Sequence, residues 1–326
     1  MIIDFHTHVF PDHLAARALA ALTGTGTNPY KPVHDSTVSG LLETMDDWSI
    51  DASVVLPVVT KASQVSKTNE WAASICSDRI VSFGGIYPNS DDYKKDIDHA
   101  VELGLKGLKF HAEYQDFLVD DDRMLRVYDY ALNKGLILLH HAGFDPDFLP
   151  PFNSSPRQFA RVIKLLGIEG GGSGRGGGNA SGGGGKNGSG RGGNAGQGVS
   201  GGNTSDEGGG NDGENSSGGG GGVNGYRNGG GVFIAAHLGG HDQWDDVEEY
   251  LVGTGIYLDT SMGFEYYPTE QFLRIVKNHG ADKILFATDS PWSNAGAEIE
   301  SLKALPLSDT EKALILGGNA RRLLGR

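Results

Sequence analysis

The sequence is short of three things. It has one cysteine, Cys76, among 326 residues, so no disulfide can form within the chain, and a reducing compartment is the expectation. Cys76, in WAASICSDRI, reads as a small apolar residue buried on a helix and not as a nucleophile. Basic residues are outnumbered: 27 Lys and Arg against 41 Asp and Glu leave a formal charge of −14. Nucleic acid and anionic membrane are thereby excluded as partners, because both call for a basic patch. Long apolar runs are missing as well. No stretch approaches the ~20 residues of a membrane span, and the start, MIIDFHTHVF, lacks the basic-then-apolar order of a secretory signal. These absences leave a cytoplasmic protein that handles small molecules.

Glycine is in excess, and in one place. Residues 170–231 run GGGSGRGGGNASGGGG and onward, dominated by glycine and without apolar periodicity. Such a stretch cannot bury enough apolar surface to offset its ordering entropy, and it reads as a disordered low-complexity insertion. The Asn-X-Ser/Thr triplets at Asn179, Asn187, Asn203 and Asn215 follow from that composition. Without the insertion, about 260 residues remain, close to the ~250 of a (β/α)8 barrel. The chain 1–326 reads as one such domain carrying the insertion.

The remainder alternates short β-branched runs with helical patterns. The runs are IIDFH, ASVVLPV from Ala52, IVSFGGIYP from Ile80, GLKGLKFH from Gly104, LILLHHAG from Leu136, VFIAAHLGG from Val232, GIYLDTS from Gly255 and KILFATDSPW from Lys283. Between them lie helical stretches such as TVSGLLETMDDWS, DRMLRVYDYALNKG and SPRQFARVIKLLG, several capped by Ser, Thr or Asp and ended by Gly. Strands alternating with helices mean βαβ units and a parallel sheet, and eight repeats favour closure into a TIM barrel. A doubly wound sheet would place a Gly-rich phosphate loop after the first strand, where this chain has HTHVFPDH. The insertion joins the fifth helix to the sixth strand. That connection lies on the barrel face opposite the chemistry, where a passive linker costs little closure entropy.

Polar residues cluster at the carboxyl ends of these strands, the catalytic face of such barrels. Strand one ends in His6 and His8, strand four in Lys109 and His111, strand five in His140 and His141, strand six in His237 and strand eight in Asp289. Period-two alternation puts Asp4, His6 and His8 on one face of strand one, opposite Ile3, Phe5 and Thr7. By the same rule Ala235 points inward with His237, Lys109 and His111 share a face with Gly107, and Leu285, Ala287 and Asp289 point inward. Only one of His140 and His141 can face the interior. Two imidazoles side by side on a strand can chelate one ion. Imidazole and carboxylate together suit a borderline divalent metal, zinc above all, with manganese the alternative.

DFHTH, KGLKFH with the Gln of HAEYQ, HHAG, AAHLGG, FATDSPW and the terminal GGNARRLLG together resemble the amidohydrolase superfamily. Within it they are similar to the amidohydrolase-related branch, which includes enzymes like aminocarboxymuconate semialdehyde decarboxylase. The resemblance implies metal ligation by His6, His8, His141 and Asp289, with the H-x-G setting selecting His141 over His140. It implies that His237 acts on water or substrate, with Asp289 assisting. His111 would hold substrate or a second metal, or support a neighbour by a hydrogen bond. Trp292, Phe10, Phe144 and Tyr114 would wall the substrate cleft. Superfamily members with two metals bridge them through a carboxylated lysine on strand four. Lys109 lies one strand step below His111, and neutralising Asp4 or Asp289 is its simpler role.

The expected activity is hydrolysis of a small amide, ester or lactone by metal-activated water. The alternative is metal-dependent, non-oxidative decarboxylation of a small carboxylic acid; a non-catalytic barrel is the remaining reading. A decarboxylase would want a cationic clamp such as an arginine near the mouth. The early loop after strand one, HVFPDHLAARALAAL, offers only Arg17, which favours the hydrolase. A homodimer is the expected assembly.

Overall fold

All eight apolar runs form strands in the computed structural model, which describes residues 1–24, 30–168 and 231–326. They are β1 (Ile3–Thr7), β2 (Ala52–Val55), β3 in two pieces (Ile80–Ser82 and Gly84–Gly85), β4 (Gly107–Phe110), β5 (Ile137–His140), β6 (Val232–Ala235), β7 (Tyr257–Asp259) and β8 (Ile284–Leu285). Every pairing is parallel and follows chain order. β3 breaks at Phe83, and its first piece pairs with β2 while its second pairs with β4. β8 returns to β1: Phe5 N–H donates to the Phe286 carbonyl at 2.9 Å, Asp289 N–H to that of His6 at 2.8 Å, and His8 N–H to that of Ser290 at 2.6 Å. The sheet thus closes into a TIM barrel.

Alternate strand residues fill the interior: Ile3, Phe5, Val54, Leu56, Phe83, Leu139, Ile234, Ala236, Leu285 and Ala287 pack in one buried cluster. The other set, including Val55, Leu108, Phe110, Leu138, Phe233, Ala235, Leu258 and Phe286, packs against the helices. This fulfils the expected facing on β4 and β8 and corrects two expectations. Ala235 faces the helices, and His237 reaches the interior because the backbone leaves the strand there, with φ of 56° at His237 and 55° at Leu238. On β1, Asp4 does not share a face with His6. The register shifts between Asp4 and Thr7, so His6 turns inward although Phe5 already points in, while Asp4 accepts from the Thr288 hydroxyl at 2.6 Å.

The surrounding helices are α1 (Asp12–Thr23), α2 (Val38–Asp47), α3 (Val65–Ser74), α4 (Tyr93–Glu102), the short α5 (Ala112–Gln115), α6 (Asp122–Asn133), α7 (Pro156–Leu166), α8 (Trp244–Tyr250), α9 (Thr269–His279), α10 (Ala295–Ala304), α11 (Asp309–Ala313) and α12 (Asn319–Leu324). Local chemistry sets their ends. α7 opens with a Ser155–Gln158 capping box and Pro156 in its first turn, and it stops at Gly167, whose φ of 66° suits glycine. Its Phe159, Val162, Ile163 and Leu166 form one buried face at helical spacing. Cys76 corrects another expectation. α3 ends at Ser74, and Cys76 lies beyond it, exposed. Among the described residues no helix is long and apolar enough to cross a membrane. The Gly-rich stretch and its four Asn-X-Ser/Thr triplets lie outside the described residues, apart from Gly231.

Candidate active site

At the carboxyl ends of β1 and β8, His6, His8 and Asp289 bring ligand atoms within 4.8 Å of one another. Asp289 Oδ1 is 3.1 Å from His6 Nε2 and 3.0 Å from His8 Nε2, and the two Nε2 atoms are 3.1 Å apart. The far side of each ring fixes its tautomer. His6 Nδ1–H donates to Asp259 Oδ2 at 3.0 Å, and His8 Nδ1–H to the Leu56 carbonyl at 2.9 Å. Both Nε2 atoms are therefore lone-pair acceptors aimed at a carboxylate oxygen that is buried and has no hydrogen-bond partner. Asp289 reaches this position from a left-handed backbone, φ 63°, a conformation that aspartate tolerates better than most residues.

Asp259, at the end of β7, is a site residue that the sequence reading did not name. Its Oδ1 accepts from the backbone N–H groups of His237 at 3.1 Å and Ser261 at 3.0 Å, and closely from the Ser261 hydroxyl. One carboxylate thus orients His6 and the start of the turn that carries His237. Lys109 enters from β4 with its Nζ 3.0 Å from His6 Nε2. It lies toward Asp289 and Asp259, not Asp4; burial brings its ammonium down to about 8, against the pull of those two carboxylates. Burial, reinforced by Lys109 at His6 and His111 and by neighbouring imidazoles at His141 and His237, pushes all four rings well below their ordinary range. They are neutral at physiological pH, as metal ligands must be.

His141 joins a different trio. With His111 and Asp145 it brings ligand atoms within 4.8 Å of one another. The His111 and His141 rings stack with centroids 4.1 Å apart, and His111 Nε2 is 3.2 Å from Asp145 Oδ2. His237 lies against both trios: its Nε2 is 3.0 Å from His141 Nδ1, its Nδ1 is 2.9 Å from the Ser261 hydroxyl, and its ring centroid is 5.4 Å from that of His6. His140 faces the helices, stacked between Phe110 and Phe233, so the choice of His141 as the inward residue matches the geometry. Gln115 is a strut. It accepts from His111 N–H at 2.8 Å and donates to the carbonyls of Val59 and Ile86 at 2.7 and 2.8 Å.

His6, His8, Lys109, His111, His141, Asp145, His237 and Asp289 floor a cleft of about 980 Å³. Phe10, Tyr114, Phe144 and Trp292 line it as anticipated, joined by Tyr30, His241 and Met262, and by Lys67 on α3. Arg17 is exposed on α1, and no arginine lines the cleft among the described residues. Asp145 could have been suspected from HHAGFDPD and Asp259 from GIYLDTS, since each follows or ends a strand at this face.

Residues 232–326 match the amidohydrolase family model. Solved structures share the fold over nearly the whole chain. An uncharacterised TIM-barrel protein from Bordetella bronchiseptica is 16% identical, covering 99% of this chain and 98% of its own, with a TM-score of 0.63. 5-Carboxyvanillate decarboxylase from Sphingomonas paucimobilis is 15% identical, with 99% and 98% covered and a TM-score of 0.60. A probable 2-pyrone-4,6-dicarboxylic acid hydrolase from Acinetobacter baumannii is 13% identical, with 100% and 99% covered and a TM-score of 0.56. Among curated proteins no sequence matches. The chain thus has the TIM-barrel fold of these structures, and its residues 232–326 are the part that matches the amidohydrolase family model.

Proposed function

We propose that this protein is a metal-dependent hydrolase of a small, largely apolar amide, ester or lactone, with His6, His8 and Asp289 holding the ion. The observation that carries this reading is the meeting of two imidazole lone pairs with an unpartnered, buried carboxylate oxygen, all within about 3 Å of one another. Three acceptors at that separation repel one another unless a cation sits among them. Lys109 reaches only His6. The donor set suits zinc first and manganese second. A divalent ion there supplies Lewis acidity and lowers the pKa of water toward neutrality.

The chain's own residues do the rest. His237 is uncharged, with Nδ1 held by Ser261 and Nε2 against His141; once the His141 contact opens, Nε2 takes the proton of the attacking water and returns it to the leaving group, with Asp289 assisting. Asp259 holds His6 in the tautomer that leaves Nε2 free. His111 and Trp292 face the substrate, and the aromatic wall excludes water from it. His141, which the sequence reading made the fourth ligand, belongs to the neighbouring trio.

A second reading, decarboxylation of a small carboxylic acid, is favoured by Lys67 and Lys109 lining the same cleft. These supply the positive charge that an anionic substrate needs, where the sequence reading had looked for an arginine. Metal analysis of purified protein tests the common part. Stripping the metal with chelator abolishes turnover and re-addition restores it, and Asp289→Asn loses both metal at this trio and activity. Retention of metal and rate in that variant would refute the assignment. A panel of esters, lactones and amides, run beside a CO2-release assay on aromatic and aliphatic acids, separates the two reactions.

A further inference from the structure

We propose that Ser261, just past β7, is a positioning residue: it fixes His237 in the Nδ1–H tautomer, so that Nε2 keeps its lone pair. The direction of each hydrogen bond follows from the protons available. Asp259 Oδ1 faces the backbone N–H groups of His237 at 3.1 Å and Ser261 at 3.0 Å. Both groups can only donate, so this oxygen carries no proton and accepts from the Ser261 hydroxyl as well. A hydroxyl has a single hydrogen. With that hydrogen committed to Asp259, Ser261 Oγ can only accept on its remaining side. His237 Nδ1 lies 2.9 Å from it and therefore bears the proton. The hydrogen bond at one ring nitrogen decides the state of the other, and Nε2 of this neutral ring is left as an acceptor.

The order extends one residue further. His237 Nε2 is 3.0 Å from His141 Nδ1; since the first accepts, the second donates. A single row of donors thus runs from His141 through His237 and Ser261 to Asp259. The serine oxygen also lies 3.2 Å from His6 Nδ1, whose proton Asp259 Oδ2 holds at 3.0 Å, so His6 offers Ser261 no competing acceptor. Little else can set the His237 ring. Ser261 is 1% exposed and His237 2%, and the His237 backbone is pinned by Trp244 Nε1, which donates to its carbonyl at 3.2 Å. The role of Ser261 rests on the function proposed above, in which His237 is the base. With its proton on Nε2 instead, the ring would present an N–H where the attacking water needs an acceptor. Ser261 does not line the cleft; it acts through His237.

Nitrogen NMR of the imidazoles reads the tautomer directly and needs no substrate. Full-length, zinc-loaded protein labelled at its histidine nitrogens is recorded at neutral pH. His237→Gln identifies the His237 signals, and circular dichroism checks the fold. The expected wild-type spectrum has the His237 proton on Nδ1. In Ser261→Ala the acceptor is gone, and the expected main form of His237 shifts to Nε2–H. A wild-type His237 protonated on Nε2, or a tautomer unmoved in a folded Ser261→Ala, would overturn the proposal. Should Ser261→Ala not fold, Ser261→Cys gives the same comparison with a much weaker acceptor. Zinc content is measured on the same samples. A wild type that binds no zinc, yet shows the Nδ1–H form and its loss in the variant, would refute the metal-dependent function while leaving the tautomer assignment standing.

Discussion

His6 and His8 are oriented from behind, one by the Asp259 carboxylate and the other by the Leu56 carbonyl. Replacing Asp259 by Asn offers an amide where a proton acceptor is needed, which frees the His6 ring to turn. The expected outcome is a loss of metal affinity at the first trio of roughly 10- to 100-fold, measured by chelator competition, while circular dichroism stays native. Unchanged affinity would make Asp259 a packing residue only. At this scale much of the site is legible in the sequence, because His6, His8, His111 and Asp289 each close an aliphatic run and so announce the catalytic face. Other parts were hidden for identifiable reasons. Alternation has meaning only while the chain remains a strand, and His237 enters the cleft through a left-handed turn that no period-two argument covers. Asp145 lies five residues beyond β5 in a loop, where sequence spacing carries no directional information.

Strands and the long helices follow from apolar periodicity and caps, as α7 shows with its capping box and terminal glycine. The sequence places HLAARALAAL in the loop after strand one, and the structure makes it α1, an extra helix between β1 and α2 that is no part of a simple βα repeat. The register shift in β1 was illegible, being a property of pairing with β2 and not of β1 alone. The end of α9 carries its own prediction. His279 is buried, with Nε2–H donating to the Ile256 carbonyl at 2.9 Å and Nδ1 accepting from Gly253 N–H at 3.1 Å. Burial and Lys283 lower its pKa from 6.5 to about 4. Between those values the unfolded chain carries a proton that the folded chain lacks, so this residue's contribution is complete above about 6.5 and is lost as pH falls toward 4. The whole effect is roughly 3 kcal/mol. His279→Gln removes it: urea unfolding at pH 7 and pH 5 should show a smaller loss on acidification than in the wild type. An identical loss would assign the acid sensitivity elsewhere.

For the whole molecule, composition pointed to a barrel of about 250 residues plus a passenger, and the closed parallel ring bears out the first part. The insertion read over residues 170–231 lies outside the described residues except for Gly231; the described barrel stops at Ile168 and resumes just before Val232, where β6 begins. Ile168 is tied by its carbonyl to Gly255 N–H at 3.2 Å, just before β7. Both attachment points are therefore at the amino ends of strands, opposite the cleft. Exchanging residues 171–230 for a short Gly/Ser linker should leave metal content intact and turnover within about twofold, since closure entropy varies only slowly with length. A large fall in rate with native circular dichroism would put the segment at the cleft.

The ring shuts between β1 and β8, and the first trio lies across that joint, with His6 and His8 on one side and Asp289 on the other. In chain order the histidines precede the aspartate by nearly the whole barrel. The donors come together only when the last strand docks on the first, so an ion held by them would act as a clasp across that joint.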